Sequence, residues 1–253
     1  FFDRVNHDKL MSRVARKVDD KRVLRLIRWY LEAGILENGV RVRSEMGTPQ
    51  GGPLSPLLAN ILLDELDKEL ERRGHRFCRY ADDFQIYVKS RKAGNRVKES
   101  ITGFLEEVLK LKVNREKSLV GSAFWSKFLG FSFRKVPKTG EVRARVHPKS
   151  YARFKEKVRA CTSRSKSERM EVKRDKLNRL VRGWAGYFKL ADMKTPAAQL
   201  DEWMRRRIRM CWWKQWKRTR TKHDNLVRRG VENSKAWEFA NTRKSYWRTA
   251  GSP

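Results

Sequence analysis

The residues best suited to chemistry are two adjacent carboxylates in the segment Tyr80-Ala81-Asp82-Asp83. They lie between two short runs typical of β-strands, 76–79 before them and 84–88 after them. Side chains alternate across a straight strand, so neighbouring aspartates share one cation only where a tight turn brings them together, and Asp is common in turns. A solvated Asp-Asp turn is the alternative. The sequence therefore predicts a hairpin with acidic residues at its tip.

The charge balance gives this acidic pair its meaning. The chain has 61 Lys and Arg residues against 29 Asp and Glu residues, a formal net charge of +32. A polyanion such as a nucleic acid is the expected partner of so basic a protein. A carboxylate pair repels phosphate unless a divalent cation lies between them, as in metal-assisted nucleotidyl transfer. We therefore predict a metal site at Asp82 and Asp83.

Composition limits the class of protein. The chain of 253 residues is 39% hydrophobic, which is enough for a substantial core in one or two domains. Three widely spaced cysteines, Cys78, Cys161 and Cys211, argue against a disulfide framework and a zinc ribbon and favour a reducing cytoplasm. His75 lies near Cys78, but packing is the favoured role for both. No apolar stretch approaches the roughly 18 residues of a membrane span, so we expect a cytoplasmic protein.

The first half of the chain mixes helices and strands. Apolar spacing predicts helices over 7–18 and 21–33, and the second of these ends at Gly34. Residues 35–46 alternate as a hairpin about the turn signal Asn38-Gly39. The pattern is typical of an α+β fold.

A loop rich in Gly and Pro, 47–56, precedes the next helix. Ser55 followed by Pro56 predicts an N-cap and a first turn, and the helix extends to about Arg73. Such a loop offers backbone amides and a favourable dipole to an anion. A plain turn is the alternative, because Gly and Pro are common in turns. The sequence alone leaves both interpretations open.

The pattern changes in the second half. A helix over 91–111 and a strand pair over 128–136 and 141–146 complete the mixed region. From Pro148 onward every long segment is predicted to be helical, over 149–162, 167–190 and 195–220. We therefore predict a domain boundary near residue 147.

The helical part is strongly basic and holds seven of the nine tryptophans. Its segment 205–218 mixes guanidinium groups with indoles, which suits phosphate contact and stacking on unpaired bases. Helical spacing also allows Trp203, Ile208, Cys211 and Trp212 to form a core stripe, with Trp213 and Trp216 capping it. We predict a core position for most of the tryptophans and RNA contact for the basic side chains. Those basic residues are Arg205, Arg206, Arg207, Arg209, Lys214, Lys217 and Arg218.

Four segments, taken in order, carry a family resemblance. Residues 1–10, 47–56, 80–83 and 128–131 resemble the palm motifs of reverse transcriptases. Residues 177–188 are similar to the maturase-specific domain of proteins encoded by bacterial group II introns. The resemblance covers essentially the whole chain. It implies a partial polymerase palm over residues 1–147 and an all-helical thumb and maturase domain over residues 148–253.

The resemblance also implies roles for individual residues. Asp82 and Asp83 match metal-binding acids, with two Mg²⁺ ions expected in the complete enzyme, and Lys117 matches a catalytic lysine near the triphosphate. The other implied site residues are Phe2, Gln50 and Gly51 for the nucleotide and template, and Phe128, Leu129, Gly130 and Phe131 for the primer grip.

One departure from the family pattern concerns the first metal-binding aspartate. In the family it precedes the position of Asp3, so here it would lie upstream of Phe1, and a turn or N-cap role is favoured for Asp3 itself. We therefore expect a fragment truncated at both ends, with weak or no synthesis by the fragment. A decayed copy of a mobile element is the alternative.

Two classes of function follow. The first is an RNA-directed DNA polymerase that uses deoxynucleoside triphosphates, an RNA template and a DNA primer to copy intron RNA. The second is a maturase that binds intron RNA to assist splicing, and the family combines both. A non-catalytic RNA-binding maturase and a polymerase-only relative of the retron type are the alternatives. The acidic pair favours synthesis, whereas the basic half favours RNA binding. No pattern indicates an oligomeric state.

Overall fold

The chain forms two compact units, seen in a computed structural model that describes residues 5–33, 35–37, 40–42, 53–166 and 168–251. The units divide between Phe128 and Leu129. Helices dominate, and the strands of the described residues form antiparallel two-stranded sheets. The predicted α+β class is confirmed.

In chain order, the first unit has two hairpins, with helices before, between and after them. Helix α4 continues directly into a π-helical segment, Phe104–Val108, so the helix predicted over 91–111 ends three residues early. The elements are α1 (His7–Val14), α2 (Lys21–Glu32), β1 (Ile35–Glu37), β2 (Val40–Val42), α3 (Ser55–Arg72), β3 (Arg76–Tyr80), β4 (Asp83–Tyr87) and α4 (Arg91–Gly103).

Helix α3 forms the centre of the first core. Its apolar face repeats every four residues and is fully buried, at Leu58, Leu62, Leu66 and Leu70. Leu10 of α1 and Ile101 of α4 belong to the same buried cluster. Phe77 and Ile86, from the β3–β4 hairpin, pack against that cluster. The hairpin that carries the two aspartates therefore rests on α3.

The helix starts follow capping rules, with one correction. Asn6 Oδ1 accepts a hydrogen bond from Lys9 N at 2.9 Å, and Asp20 Oδ1 accepts one from Arg22 N at 2.7 Å. The predicted N-cap at Ser55 is wrong by one residue. Leu54 already has a right-handed helical backbone and occupies the N-cap position, so Ser55 lies inside the helix.

The second unit begins with a hairpin. The helix predicted over 195–220 ends earlier because Trp216 leaves the helical conformation, and the last three helices were not predicted. The elements are β5 (Phe131–Lys135), β6 (Val142–Val146), α5 (Pro148–Cys161), α6 (Met170–Tyr187), α7 (Lys194–Gln215), α8 (Thr219–Val227), α9 (Asn233–Ala240) and α10 (Tyr246–Thr249).

The β5–β6 hairpin explains where the chain divides. Asp192, just after α6, donates its backbone N–H to Ala144 O at 2.7 Å, and its carboxylate binds Arg134. Arg134 keeps the pKa of Asp192 below its usual value. These contacts join the hairpin to the helices that follow it. The compact units therefore separate before the hairpin, whereas the predicted domain boundary near residue 147 lies after it.

The tryptophans of the second unit serve mainly in its core. Trp213 and Trp216 are buried, and Trp203 and Trp212 are half-buried. Phe154 and Leu200 belong to one buried cluster, and Met210 and Cys211 belong to another. Of the predicted core stripe, Cys211 is buried, whereas Trp203, Ile208 and Trp212 are half-buried; the most buried tryptophans of this segment are the two predicted to cap the stripe.

The three cysteines all have free thiols, and they differ in how far they are buried. Cys211 lies with its Sγ 3.3 Å from Thr162 O, and burial raises the pKa of its thiol. No helix in the described ranges is both long and apolar enough to cross a bilayer.

Two glycines of α4 provide a matched test of the packing. A methyl group at Gly94 would lie 2.6 Å from Val120 Cγ1, whereas one at Gly103 would lie 3.9 Å from its nearest neighbour, a Glu107 oxygen. We expect Gly103→Ala to stabilise the protein by up to about 1 kcal/mol through helix propensity. Gly94→Ala should be less stable than Gly103→Ala by about 1–3 kcal/mol because of overpacking. Urea unfolding of both variants measures this difference, and equal midpoints would contradict the close contact.

Candidate active site and nucleic-acid surface

The two aspartates lie on a tight turn. Tyr80 pairs with Asp83 in the β3–β4 register, which leaves Ala81 and Asp82 as a two-residue connection. Ala81 has a φ of +52°, in the left-handed region that disfavours residues with a side chain. Both aspartates are exposed. The predicted hairpin with acidic residues at its tip is confirmed.

Arg79 joins this turn to helix α3. Its guanidinium forms a bidentate pair with Asp67, with Nε to Oδ1 at 2.7 Å and Nη2 to Oδ2 at 2.5 Å. Its Nη1 also donates to Asn60 Oδ1 and to Ala81 O, both at 3.0 Å. The hydrogen bonds to Asp67 raise the pKa of Arg79. One side chain thus binds α3 and the strained residue of the turn together.

This contact has a simple origin in the sequence. Strand alternation places Phe77 and Arg79 on the same side of β3, and Phe77 packs against the core. Asn60 and Asp67 are two helical turns apart and therefore lie on one face of α3. A cation on the inner side of a strand needs hydrogen-bonding partners, which these two residues provide. The contact was not predicted, although the alternation places Arg79 on the inner side.

The carboxylates fit part of a magnesium site. Mg²⁺ binds carboxylate oxygens and commonly takes its other ligands from water and substrate phosphates. Asp82 and Asp83 provide such oxygens on one exposed turn. Within the described residues, no group of three or more His, Cys, Asp or Glu side chains is arranged to hold a metal ion. The donor set is therefore compatible with Mg²⁺ but supplies two acids.

The other predicted residues of the palm are placed only in part. Lys117 is exposed on a turn in which Asn114 Oδ1 accepts a hydrogen bond from Lys117 N at 3.1 Å. Phe2, Gln50 and Gly51 lie outside the described residues. The catalytic and nucleotide-binding roles of these residues stay predictions.

An exposed tryptophan lies beside the hairpin. Gln85 Nε2 donates a hydrogen bond to Ser126 Oγ, and Ser122 O accepts one from Trp125 N at 3.1 Å. Gln85 follows Asp83 by two residues and so lies on the same side of β4. The Trp125 side chain is 76% exposed. An exposed indole in a segment that is hydrogen-bonded to β4 suits stacking on a base or a sugar, and sequence patterns do not single it out.

The predicted primer-grip segment is a strained turn. Leu129 and Gly130 have φ angles of +50° and +85°. The Tyr187 hydroxyl donates to Leu129 O at 2.8 Å, and the Phe131 ring lies 4.9 Å from that of Phe188. Phe128 falls in the first unit and the other three residues in the second.

Three of the predicted RNA-binding arginines make internal contacts. Arg206 Nε donates to Trp247 O at 3.1 Å, and Arg209 Nε donates to Ala250 O at 2.8 Å. Arg207 Nε donates to Thr162 Oγ1 at 2.6 Å, and burial lowers the pKa of Arg207. Through these hydrogen bonds, α7 holds the segment 247–250 and the C-terminal end of α5 in place.

The remaining members of the basic set point outward. Lys214, Lys217 and Arg218 are exposed. Arg205 is exposed as well and pairs with Asp201 at 2.8 Å, a contact that costs little to break at a surface. RNA contact by all seven basic residues stays a prediction. These four have accessible side chains, and Arg209 is exposed too although its Nε binds Ala250 O.

The Arg79 contacts predict a specific effect on the turn. Lysine keeps the charge but not the bidentate geometry, so Arg79→Lys should make opening of the hairpin easier by about 1–3 kcal/mol. Hydrogen exchange of the amides in residues 76–87 should then accelerate at least about fivefold. Arg76→Lys, on the outer side of β3, is the matched control. Equal exchange in both variants would show that Arg79 does not hold the turn.

Comparison with known proteins agrees with this geometry. Residues 1–133 match the family model described as reverse transcriptase (RNA-dependent DNA polymerase), and residues 151–230 match the group II intron, maturase-specific domain. The predicted boundary at residue 147 lies between the two matches.

Relatives come from bacteria and yeast. Protein YkfC of Escherichia coli K12 is 33% identical over 181 residues, which cover 56% of this chain and 47% of that protein. The group II intron-encoded protein LtrA of Lactococcus lactis is 29% identical over 215 residues, covering 57% of this chain and 36% of LtrA. An uncharacterized 91 kDa protein in the cob intron of Schizosaccharomyces pombe is 44% identical over 70 residues, covering 28% and 9%.

The extent of these matches sets what they show. The chain spans less than half the length of each of these relatives. The reverse transcriptase match alone covers more than half of this chain. The chain therefore belongs to the reverse transcriptase family and carries a group II intron maturase-specific domain after its reverse transcriptase region.

Proposed function

We propose that this chain acts as an RNA-directed DNA polymerase and maturase of the group II intron type. It copies intron RNA into DNA and binds intron RNA to assist splicing. The observation that carries the proposal is the exposed Asp82-Asp83 turn, fixed to helix α3 by Arg79, in a chain of net charge +32. Such a chain attracts nucleic acid to a site that can hold Mg²⁺.

The reaction joins a primer to a deoxynucleoside triphosphate. The 3′-hydroxyl of the DNA primer loses its proton to water and its oxygen forms a bond to the α-phosphorus, while the bond from that phosphorus to pyrophosphate breaks and pyrophosphate leaves. Mg²⁺, when bound, would lower the pKa of the primer hydroxyl and neutralise phosphate charge. The carboxylates of Asp82 and Asp83 would bind the metal, and Arg79 keeps their turn in place. Lys117 donates a proton or a hydrogen bond to the leaving pyrophosphate.

Binding of intron RNA is assigned to the second unit. Exposed basic side chains such as Lys214, Lys217 and Arg218 contact phosphates, so affinity falls steeply with salt. The free thiols are consistent with a reducing cytoplasm, where we place the protein.

A non-catalytic maturase is the second candidate. The observation that favours it is the basic second unit, where Lys214, Lys217 and Arg218 are exposed. Within the described residues, no third acid joins Asp82 and Asp83 in a group that could hold a metal ion. Because polymerases of this chemistry use carboxylates to hold two metal ions, synthesis by these residues alone is expected to be weak. RNA binding does not need the acidic pair.

The polymerase proposal predicts a separation of synthesis from binding. In the full reading frame that encodes these residues, the double replacement Asp82→Ala and Asp83→Ala should lower primer extension at least about 100-fold. Affinity for intron RNA should stay unchanged or rise slightly, because negative charge is removed. Asp19→Ala, which removes an exposed carboxylate elsewhere in the first unit, should leave both properties unchanged. Full synthesis by the double variant would contradict the proposal.

The chain itself offers a second test through Cys78. This thiol is exposed on β3, opposite Gln85 and on the side of the hairpin that carries Asp83. A bound RNA–DNA hybrid should slow its alkylation, whereas a folded RNA without a primer should not. Cys211 should stay unreactive in every sample, because it is buried and its thiol pKa is raised. Mass spectrometry resolves the sites, and hybrid binding without protection of Cys78 would favour the non-catalytic maturase.

A further inference from the structure

The turn at residues 128–131 has an unfavourable backbone conformation. Leu129 and Gly130 are consecutive residues with positive φ, and Leu rarely adopts this conformation because its Cβ approaches the backbone. Strained backbone persists only where surrounding contacts determine it, and it is common at functional sites. The contacts that hold this turn are therefore candidates for a functional role.

Two residues at the end of α6 supply those contacts. The Tyr187 hydroxyl donates to Leu129 O at 2.8 Å. A methyl group at Gly130 would lie 3.1 Å from Phe188 Cζ and 3.2 Å from Ser150 Oγ, so the backbone at Gly130 passes close to the tip of the Phe188 ring. The rings of Phe131 and Phe188 pack at 4.9 Å. The shape of the turn thus depends on Tyr187 and Phe188.

The surface next to the turn remains accessible. The Tyr187 side chain is 56% exposed although its hydroxyl is bonded to the turn, and Leu190 is 79% exposed. Lys189 lies exposed between them. An aromatic ring and an aliphatic side chain flanking a lysine suit the sugar and phosphate of one nucleic-acid strand.

We propose that Tyr187 and Phe188 are positioning residues for the primer strand. They hold the 128–131 turn in the conformation that contacts the primer, so this contact of the reverse transcriptase region is built on a helix of the maturase-specific domain. The inference rests on the proposed function, because it requires that an RNA–DNA hybrid is a ligand. It predicts that a change in α6 weakens hybrid binding selectively.

The test removes one hydroxyl. The dissociation constants of the whole chain for a primed RNA–DNA hybrid and for an unprimed hairpin RNA are measured by fluorescence anisotropy. Tyr187→Phe should weaken hybrid binding about fivefold, the value of one hydrogen bond, and leave hairpin RNA binding unchanged. Tyr151→Phe is the matched control, because its hydroxyl lies in the same unit but donates to Pro196 O, at 3.4 Å, and not to a carbonyl of the turn. It should change neither constant.

Two further measurements separate positioning from a general loss of structure. Gly130→Ala, which forces the turn away from Phe188, should weaken hybrid binding more than Tyr187→Phe does. In the full reading frame, Tyr187→Phe should raise KM for primer–template about fivefold and change kcat by less than about twofold, since a uniform binding contact is lost. Thermal unfolding of each variant shows whether it is folded.

The possible results are distinct. Unchanged hybrid affinity in Tyr187→Phe would overturn the inference while the proposed function stands. An equal loss for hybrid and hairpin RNA would also overturn it, because the hydroxyl would then serve only the fold. If the unaltered chain binds the hybrid no better than the hairpin RNA, the proposed polymerase role fails, and the inference fails with it.

Discussion

The ion pair between Arg79 and Asp67 is the contact on which the candidate active site depends. The acidic turn has little packing of its own, because Asp82 and Asp83 are exposed and Ala81 has an unfavourable backbone. Arg79 compensates by binding α3 and the carbonyl of Ala81 with one planar group. Because α3 carries the most buried apolar face of its unit, Arg79 fixes the turn to a rigid part of the core. A mutation in the α3 core should therefore affect the site without touching it.

The sequence was informative where local patterns decide the structure. The hairpin about the two aspartates, the helix from Ser55 and the basic, tryptophan-rich helix α7 all follow from periodicity and turn residues. The Arg79–Asp67 pair could not be predicted as a pair, because it depends on how β3 packs on α3. Helix α8 could not be predicted for a related reason. None of its residues is buried, so its sequence has no apolar residues repeating at helical spacing. The cap at Ser55 failed because Leu54 adopts a helical backbone first.

Positive charge in the second unit has two physical uses. Arg206, Arg207 and Arg209 satisfy carbonyl and hydroxyl groups inside the unit, where a planar donor with several N–H groups is an advantage. Lys214, Lys217 and Arg218 remain at the surface. Composition predicts the total charge but not this division, which follows from the helices that pack on α7. The excess of basic residues therefore overstates the number of side chains available to RNA.

Cleavage of the backbone by a bound iron ion can locate the metal site on this chain. Fe²⁺ replaces Mg²⁺ in the presence of an RNA–DNA hybrid, and ascorbate with peroxide then cleaves the backbone near the bound ion. If Asp82 and Asp83 bind the metal, cleavage should occur at residues 80–84 and should be lost when both are changed to Asn. Cleavage elsewhere, or the same cleavage in the double variant, would show that the acidic turn is not the metal site.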